Sequence, residues 1–219
     1  MQRFGLFLLV IFASFSLQAQ KLPFQDEIAA FRKVDSTNPP PAHPIVFTGS
    51  SSFRKWTGVR EAFPGYPIIN RGFGGSTIPD VIRYANDVIF KYKPRQVVIY
   101  CGDNDLASSD TVTAEVVFRR FKELFRLIRT RLRTADILYV SVKPSPSREK
   151  LMPRMEEANR LISGFLRGKK HAAFVDVYHP MLTPDGKPME DIFENDKLHM
   201  NARGYAIWQK IILPHLDKP

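Results

Sequence analysis

The sequence predicts a three-layer α/β/α domain built on a five-stranded parallel sheet. Short apolar runs alternate with amphipathic segments, which is the order expected when a crossover helix follows each strand. The apolar run at Gln96–Cys101 is continuous, as expected for a strand covered on both faces. Helical spacing is clearest over residues 113–133, where apolar side chains recur every three or four positions.

The predicted elements follow one another without an internal repeat or a low-complexity linker. A leading helix over Phe24–Val34 ends in a proline-containing turn at residues 35–41. The five strands are expected at Ile45–Thr48, Pro67–Asn70, Gln96–Cys101, Ile137–Val142 and Ala172–Val177. Further helices are expected at Pro79–Tyr92, residues 113–133, Arg148–Leu166 and Ala202–Pro214.

The first twenty residues have the layout of a secretory signal peptide. Arg3 precedes an apolar run over Phe4–Phe15, and a cleavage site follows Ala19. A bilayer crossing needs about 20 apolar residues, so this run is too short to be a membrane span. We therefore expect residues 1–19 to be a cleaved signal peptide and residues 20–219 to form a single domain without stable membrane insertion. The protein is expected to be secreted or periplasmic.

The 219 residues carry a formal net charge of +10, much of it in the predicted helix over residues 113–133. Charge alone permits nucleic-acid binding, but the chain is expected to be exported. We interpret the helix as having a solvated basic face and expect no nucleic-acid partner. The single cysteine, Cys101, closes a predicted strand and is interpreted as a buried apolar residue.

Polar and glycine-rich clusters follow three of the predicted strands. In a parallel α/β sheet, functional residues gather at the carboxyl ends of the strands. The clusters are Gly49–Ser52, Asn70–Gly75 and Gly102–Asp105, and a fourth, Asp196–His199, lies in the loop before the last helix. All four are expected to converge on one edge of the sheet.

These clusters contain the groups that a serine esterase needs. Ser51 can act as nucleophile and His199 as general base, with Asp196 three residues earlier orienting the imidazole. An N–H next to Ser51, the N–H of Gly75 and the side-chain amide of Asn104 would supply three oxyanion donors. A glycine at position 75 lets the backbone approach a substrate closely.

Other interpretations of the same residues stay open. Asp176 and His179 have the spacing of Asp196 and His199 and could form the base pair instead. A serine after a strand is often only a helix N-cap, and glycines often only form a turn. The aspartates at 103 and 105 are expected to organise their loop. No compact His/Asp set predicts a metal site.

Taken together, the four clusters resemble the sequence blocks of the SGNH hydrolases, also called GDSL-type esterases and lipases. The resemblance extends from about residue 45 to residue 213 and is greatest to the branch that includes platelet-activating factor acetylhydrolase-like proteins. It implies a flavodoxin-like fold with neither metal nor cofactor. It also implies that Ser51, Asp196 and His199 are catalytic and that Gly75 and Asn104 bind the oxyanion.

One position departs from the family pattern, since Ser50 stands where an aspartate usually precedes the nucleophile. This leaves a choice among the serines at 50, 51 and 52, and the spacing from Gly49 favours Ser51. The departure is also the only support for a second hypothesis, a non-catalytic glycan-binding domain with a decayed site.

The expected function is hydrolysis of a short acyl ester, with acetyl favoured, on a carbohydrate or lipid. The partner is then a small-molecule or glycan ester, and an acyltransferase that uses the same triad is an alternative. Some members of such families dimerise, so a homodimer stays open. The substrate pocket is expected to be walled by Phe53–Gly65, Phe73 and Thr183–Asn195, although the aromatic residues there could equally belong to the core.

Overall fold

The computed structural model describes residues 21–218, so the predicted signal peptide at residues 1–19 lies outside the described residues. The strands are β1 (Ile45–Gly49), β2 (Ile68–Gly72), β3 (Gln96–Tyr100), β4 (Asp136–Val140) and β5 (Ala172–Val175). They form one all-parallel sheet in the order β2-β1-β3-β4-β5. The predicted five-stranded parallel α/β fold is confirmed.

Helices cover both faces of this sheet. They are α1 (Gln25–Thr37), α2 (Ser51–Arg54), α3 (Val59–Ala62), α4 (Ile78–Arg83), α5 (Ala85–Val88), α6 (Asp103–Ser108), α7 (Ala114–Arg131), α8 (Met152–Leu166) and α9 (Ala202–Ile212). Short 3-10 helices lie at Phe90–Tyr92, Pro146–Leu151, His179–Met181, Glu190–Ile192 and Leu213–His215. No helix within residues 21–218 is both long and apolar enough to cross a membrane.

The two apolar layers can be followed along β3, where every residue is buried. Val97 and Ile99 face the layer formed with α1, α4, α5, α7 and α8. Val98 and Tyr100 face the opposite layer, formed with α2, α3 and α9. Because alternate side chains of a strand point to opposite faces, a strand that is apolar throughout must lie at the centre of a three-layer structure.

The segment expected to be one helix over Pro79–Tyr92 consists of α4, α5 and a 3-10 turn. The backbone leaves helical values at Tyr84 (φ −101°, ψ 13°) and again at Ile89 (φ −133°, ψ −67°). Val81 and Val88 are nevertheless buried on the same apolar layer. Apolar spacing therefore reports which side chains face the core, and the backbone between them can still break.

Two helix boundaries also differ from the prediction. The leading helix α1 extends into the predicted turn at residues 35–41 and ends at Thr37. The helix expected from Arg148 begins only at Met152, because Arg148 has non-helical angles (φ −123°, ψ 25°) in the preceding 3-10 turn. The Arg148 side chain is turned inward from this turn, which matters for the site described below.

The basic helix α7 is only partly the solvated face that its sequence suggests. Arg120 forms a 2.7 Å ion pair with Asp105, whose side chain is fully buried. Burial raises the pKa of Asp105, and the hydrogen bonds from the Ile78 amide and from Arg120 oppose that rise. Arg129 donates to several backbone carbonyls beyond the end of the helix. Two of the cations of α7 therefore contribute to the packing of the domain.

Candidate active site

The four polar clusters of the sequence lie at the carboxyl edge of the sheet. Ser51 is the first residue of α2, directly after β1, and Gly75 follows β2. Asn104 lies in the first turn of α6 after β3, while His199 lies in the loop that precedes α9. Residues from four separate loops therefore meet at one edge, as expected for a parallel sheet.

The turn that presents Ser51 depends on a glycine at position 49. Gly49 has φ 126°, and a Cβ on it would lie 1.9 Å from the carbonyl oxygen of Tyr100. The same carbonyl oxygen accepts a 2.9 Å hydrogen bond from the N–H of Ser50. The exit of β1 is thus held tightly against the end of β3, and the chain turns sharply into α2.

Ser51, His199 and Asp196 form a continuous hydrogen-bonded series. The Nε2 atom of His199 lies 2.9 Å from the Oγ atom of Ser51, and its Nδ1 atom lies 2.6 Å from Oδ2 of Asp196. The second carboxylate oxygen accepts from the backbone N–H groups of Leu198 and His199. With Nδ1 protonated toward the carboxylate, Nε2 is free to accept the serine proton.

The carboxylate of Asp196 is held in its ionised form. Partial burial acts to raise its pKa, but the hydrogen bonds from His199 and from the amides of Leu198 and His199 outweigh burial and hold the pKa well below its ordinary range. An ionised carboxylate at this position favours the tautomer that leaves Nε2 as an acceptor. It would also stabilise the imidazolium formed when the serine is deprotonated.

Only one of the three consecutive serines contacts the histidine. The side chain of Ser51 is partly exposed, whereas Ser50 and Ser52 are buried. The Oγ atom of Ser50 has no hydrogen-bond partner among residues 21–218. The serine that replaces the usual aspartate therefore provides no visible support to its neighbour, and the geometry singles out Ser51.

The two residues predicted to bind the oxyanion, Gly75 and Asn104, lie next to each other. Gly75 is exposed, and a Cβ on it would lie 3.9 Å from Nδ2 of Asn104. Asn104 uses Nδ2 to donate to the carbonyl oxygen of Ser76 at 3.2 Å, which leaves the second hydrogen of that nitrogen for a ligand. Ser76 in turn donates from Oγ to the carbonyl oxygen of Gly49 at 2.9 Å. The loop Gly74–Ser76, called the donor loop below, is therefore attached to the turn that presents Ser51.

The alternative pair, Asp176 and His179, is also formed. Its Nδ1–Oδ2 distance is 2.6 Å, equal to that of the pair at Asp196 and His199. Within the described residues, however, no serine is hydrogen-bonded to His179. The structure brings Ser51 to one of the two pairs only.

Two residues next to the site had no role in the sequence analysis. Arg148 donates from Nη1 to Asp103 and from Nη2 to Oδ1 of Asn104, both at 2.9 Å. The second bond orients the Asn104 amide so that its nitrogen faces the donor loop. Lys143, at the exit of β4, is buried and donates from Nζ to the carbonyl oxygen of Leu198 at 2.7 Å. A lysine that directly follows an apolar strand was a signal available in the sequence, whereas Arg148 offered none.

Helix α1 adds a third such residue, Glu27. Its Oε2 atom accepts a 3.0 Å hydrogen bond from the N–H of Gly74, the residue before Gly75. The same oxygen forms a 2.8 Å ion pair with Arg54, the last residue of α2. One carboxylate therefore connects the donor loop with the helix that begins at Ser51.

The aromatic residues expected to wall a pocket belong to the core. Phe63 and Phe73 are fully buried, and Trp56 and Phe193 are 5% and 6% exposed. A groove of about 960 Å³ does lie next to Asp196, with a lining drawn mainly from residues 54–58 between α2 and α3, the 194–196 loop and α9. Residues 54–58 and 194–195, which overlap the expected wall, therefore border the site.

A serine hydroxyl bonded to a carboxylate-supported histidine, beside an amide-lined space at the edge of a parallel sheet, is the arrangement of a serine hydrolase. The profile of the GDSL-like lipase/acylhydrolase family matches residues 35–207. The chain belongs to this family, and the predicted hydrolase of ester bonds is confirmed at that level.

Solved structures share the fold across most of the chain. A Streptococcus pneumonia protein provisionally assigned as a platelet activating factor has 17% identity and a TM-score of 0.76, covering 88% of this chain and 92% of its own. A GDSL-like lipase from Bacteroides thetaiotaomicron has 21% identity and a TM-score of 0.69, covering 86% and 97%. A catalytic mutant of an acetylxylan esterase from Geobacillus stearothermophilus has 14% identity and a TM-score of 0.61, covering 81% and 96%. No curated protein sequence matches the chain significantly.

Proposed function

We propose that the protein is an exported serine esterase that removes short acyl groups, acetyl above all, from a carbohydrate or lipid. In this proposal Ser51 is the nucleophile, His199 the general base and Asp196 the residue that orients it. The observation that carries the proposal is the 2.9 Å contact between Nε2 of His199 and Oγ of Ser51, with Asp196 on the other ring nitrogen. Export rests on the sequence of residues 1–19.

The first half of the reaction forms an acyl-enzyme. Ser51 Oγ attacks the ester carbonyl carbon while Nε2 of His199 takes the serine proton, and Asp196 stabilises the resulting imidazolium. The negative charge on the carbonyl oxygen is met by an N–H at the start of α2, the N–H of Gly75 and Nδ2 of Asn104. Collapse of the tetrahedral intermediate breaks the bond to the alcohol oxygen, which receives the proton from His199.

The second half releases the acid. His199 takes a proton from a water molecule, whose oxygen attacks the acyl carbon and forms a second tetrahedral intermediate at the same donors. Its collapse frees the carboxylic acid and returns the proton to Ser51. These steps use side chains and backbone of the chain alone and call for no metal or cofactor.

A short acyl group on an accessible substrate suits the surroundings of the serine. Gly75 is exposed and the side chain of Asp196 is 43% exposed, so the site opens toward solvent. Phe53, Phe63 and Phe193 pack into the core, and the groove next to Asp196 is lined mainly by polar residues together with Trp56 and Tyr205. An acetylxylan esterase is among the proteins that share the fold, which favours an acetylated glycan as the first substrate to test.

The test is a series of p-nitrophenyl esters with two-, four- and eight-carbon acyl groups, followed by acetate release from acetylated xylan. We expect the two-carbon ester to be preferred and Ser51→Ala to lose nearly all turnover. Hydrolysis that persists in Ser51→Ala would contradict the proposal. A folded chain that binds acetylated xylan but hydrolyses no ester would indicate the glycan-binding domain instead. Acyl products formed with added alcohols would indicate a transferase.

A further inference from the structure

The segment between β4 and α8 contacts both halves of the proposed catalytic machinery. On one side, Lys143 donates from Nζ to the carbonyl oxygen of Leu198 at 2.7 Å, and the N–H of Ser147 donates to the carbonyl oxygen of Lys197 at 3.1 Å. On the other side, Arg148 holds Oδ1 of Asn104. Two consecutive carbonyls of the loop that carries the base are thus bound from one short segment.

The loop that Lys143 contacts, residues 194–199, is mostly exposed and lies between two buried residues, Phe193 and Met200. The side chains of Asp196 and Lys197 are 43% and 47% exposed, and Lys197 lies in the left-handed region with φ 55°. Its internal hydrogen bonds join the loop to itself, between Glu194 and His199 and between Lys197 and Glu194. From outside the loop, Lys143 and Ser147 bind its backbone carbonyls, whereas Ser51 and Lys55 contact its side chains.

Lys143 occupies an environment that is unfavourable for a charged amine. The residue is 1% exposed. Burial lowers the pKa of Lys143 to about 8, the carboxylates of Asp103 and Asp196 act against that decrease, and the guanidinium of Arg148 adds to it. Its Nζ atom also lies 5.3 Å from the centre of the Phe193 ring. An apolar side chain would avoid this desolvation, so the amine needs a different explanation from packing.

We propose that Lys143 is a positioning residue for the catalytic base, acting through its hydrogen bond to the Leu198 carbonyl, which holds His199 against Ser51. The inference rests on the proposed function of the Ser51 site. Lys143 acts on the reaction only through the loop, while Arg148 has the corresponding relation to Asn104.

The proposal separates activity from stability. Lys143→Met keeps a similar length and removes the charge and the donor, so kcat for p-nitrophenyl acetate is expected to fall about tenfold or more while KM changes less than threefold. Its Tm at pH 7 is expected to equal or exceed that of the wild type, because a desolvated ammonium has been removed. A lysine that only stabilised the fold would give the reverse pattern. Lys150→Met, an exposed lysine in the next turn, is the matched control and should leave kcat unchanged.

The pH profile gives a second, independent readout. An ammonium forms a stronger hydrogen bond to a carbonyl than a neutral amine does. Wild-type kcat should therefore decline as pH rises through about 8, where Lys143 loses its proton. The groups facing Lys143 are the carboxylates of Asp103 and Asp196, the guanidinium of Arg148 and the ring of Phe193. Lys143→Met should lack this decline, and Lys143→Arg, which stays charged, should retain activity to higher pH.

An active wild type with unchanged kcat and an unchanged alkaline decline in Lys143→Met would overturn the role of Lys143 alone. Should Lys143→Met fail to fold, Lys143→Arg decides the matter, since a decline that persists near pH 8 in that variant would overturn the role. A wild type without any esterase activity would overturn the proposed function, and the positioning role with it.

Discussion

The chain contains two Asp-x-x-His pairs that are locally almost identical but differ in what surrounds them. In both pairs the aspartate Oδ2 lies 2.6 Å from the histidine Nδ1, and the other oxygen accepts from two backbone N–H groups. Both aspartate side chains are 43% exposed. The side chain of His199 is only 14% exposed and contacts Ser51, whereas that of His179 is 74% exposed. The Asp-x-x-His spacing is enough to form the aspartate–histidine hydrogen bond, but the fold determines which histidine contacts Ser51.

The order of the strands explains the difference. His179 directly follows β5, the edge strand, which is separated from β1 by β3 and β4. At about 4.8 Å between neighbouring strands, the ends of β5 and β1 are about 14 Å apart. The loop that contains His199 returns across the edge of the sheet before α9 and reaches the serine after β1. Only the second pair is carried back to the nucleophile.

The largest expected effect separates the two histidines directly. His199→Ala should reduce kcat/KM for p-nitrophenyl acetate about 10⁴-fold, because the serine loses its proton acceptor. His179→Ala should stay within twofold of the wild type. Initial rates on purified variants check this, and similar losses in both variants would remove the distinction between the pairs.

Substitution of the two aspartates should show the same contrast in kcat, with a smaller loss than for the histidines. Asp196→Asn should lower kcat about 10²- to 10⁴-fold, since an amide at this position can donate to Nδ1 and so favour the wrong tautomer. Asp176→Asn is the matched control and should leave kcat unchanged. If kcat were retained in Asp196→Asn, the carboxylate would have no part in activating the histidine.

In the proposed mechanism the site at Ser51 also has oxyanion donors, whereas none is proposed for His179. Removal of one such donor in Asn104→Ala should lower kcat about 10²-fold with little change in KM, because the donor acts mainly in the transition state. Asn86→Ala, an exposed asparagine on α5, should have no effect. A rise in KM alone would make Asn104 a substrate-binding residue and not an oxyanion donor.

The smallest of these effects concerns Glu27, which lies before the part of the chain matched by the family profile. Glu27→Gln weakens the bonds to the Gly74 amide and to Arg54, and a loss of ~1 kcal/mol in transition-state stabilisation corresponds to about a fivefold lower kcat. Asp26→Asn, the exposed neighbour, is the control. Equal kcat values for the two variants would show that α1 does not influence the donor loop.

The sheet and the principal site residues could be predicted because each rests on a local signal. Continuous apolar runs such as Gln96–Cys101 mark buried strands, and polar clusters after three of the strands mark the edge where the candidate site lies. The break at Tyr84 could not be predicted, since the apolar spacing continues through it. The choice of His199 over His179 rested on the family resemblance, because both histidines have the same spacing from an aspartate.

The supporting residues escaped prediction for a different physical reason. Glu27 binds an amide 47 positions away, Arg148 binds Asn104 at a separation of 44, and Lys143 binds a carbonyl at a separation of 55. Contacts over such separations are created by the packing of distant elements and leave no periodicity in the sequence. The burial of Lys143 is an example, because a lysine is ordinarily interpreted as an exposed residue.

The central claim is that His199, and not His179, activates Ser51. Intact-mass and peptide mass spectrometry after treatment with a fluorophosphonate tests it most directly, because only an activated serine is labelled. The account predicts one adduct, on Ser51, in the wild type and in His179→Ala, and none in His199→Ala over the same time. An adduct on another residue, or full labelling of His199→Ala, would contradict it.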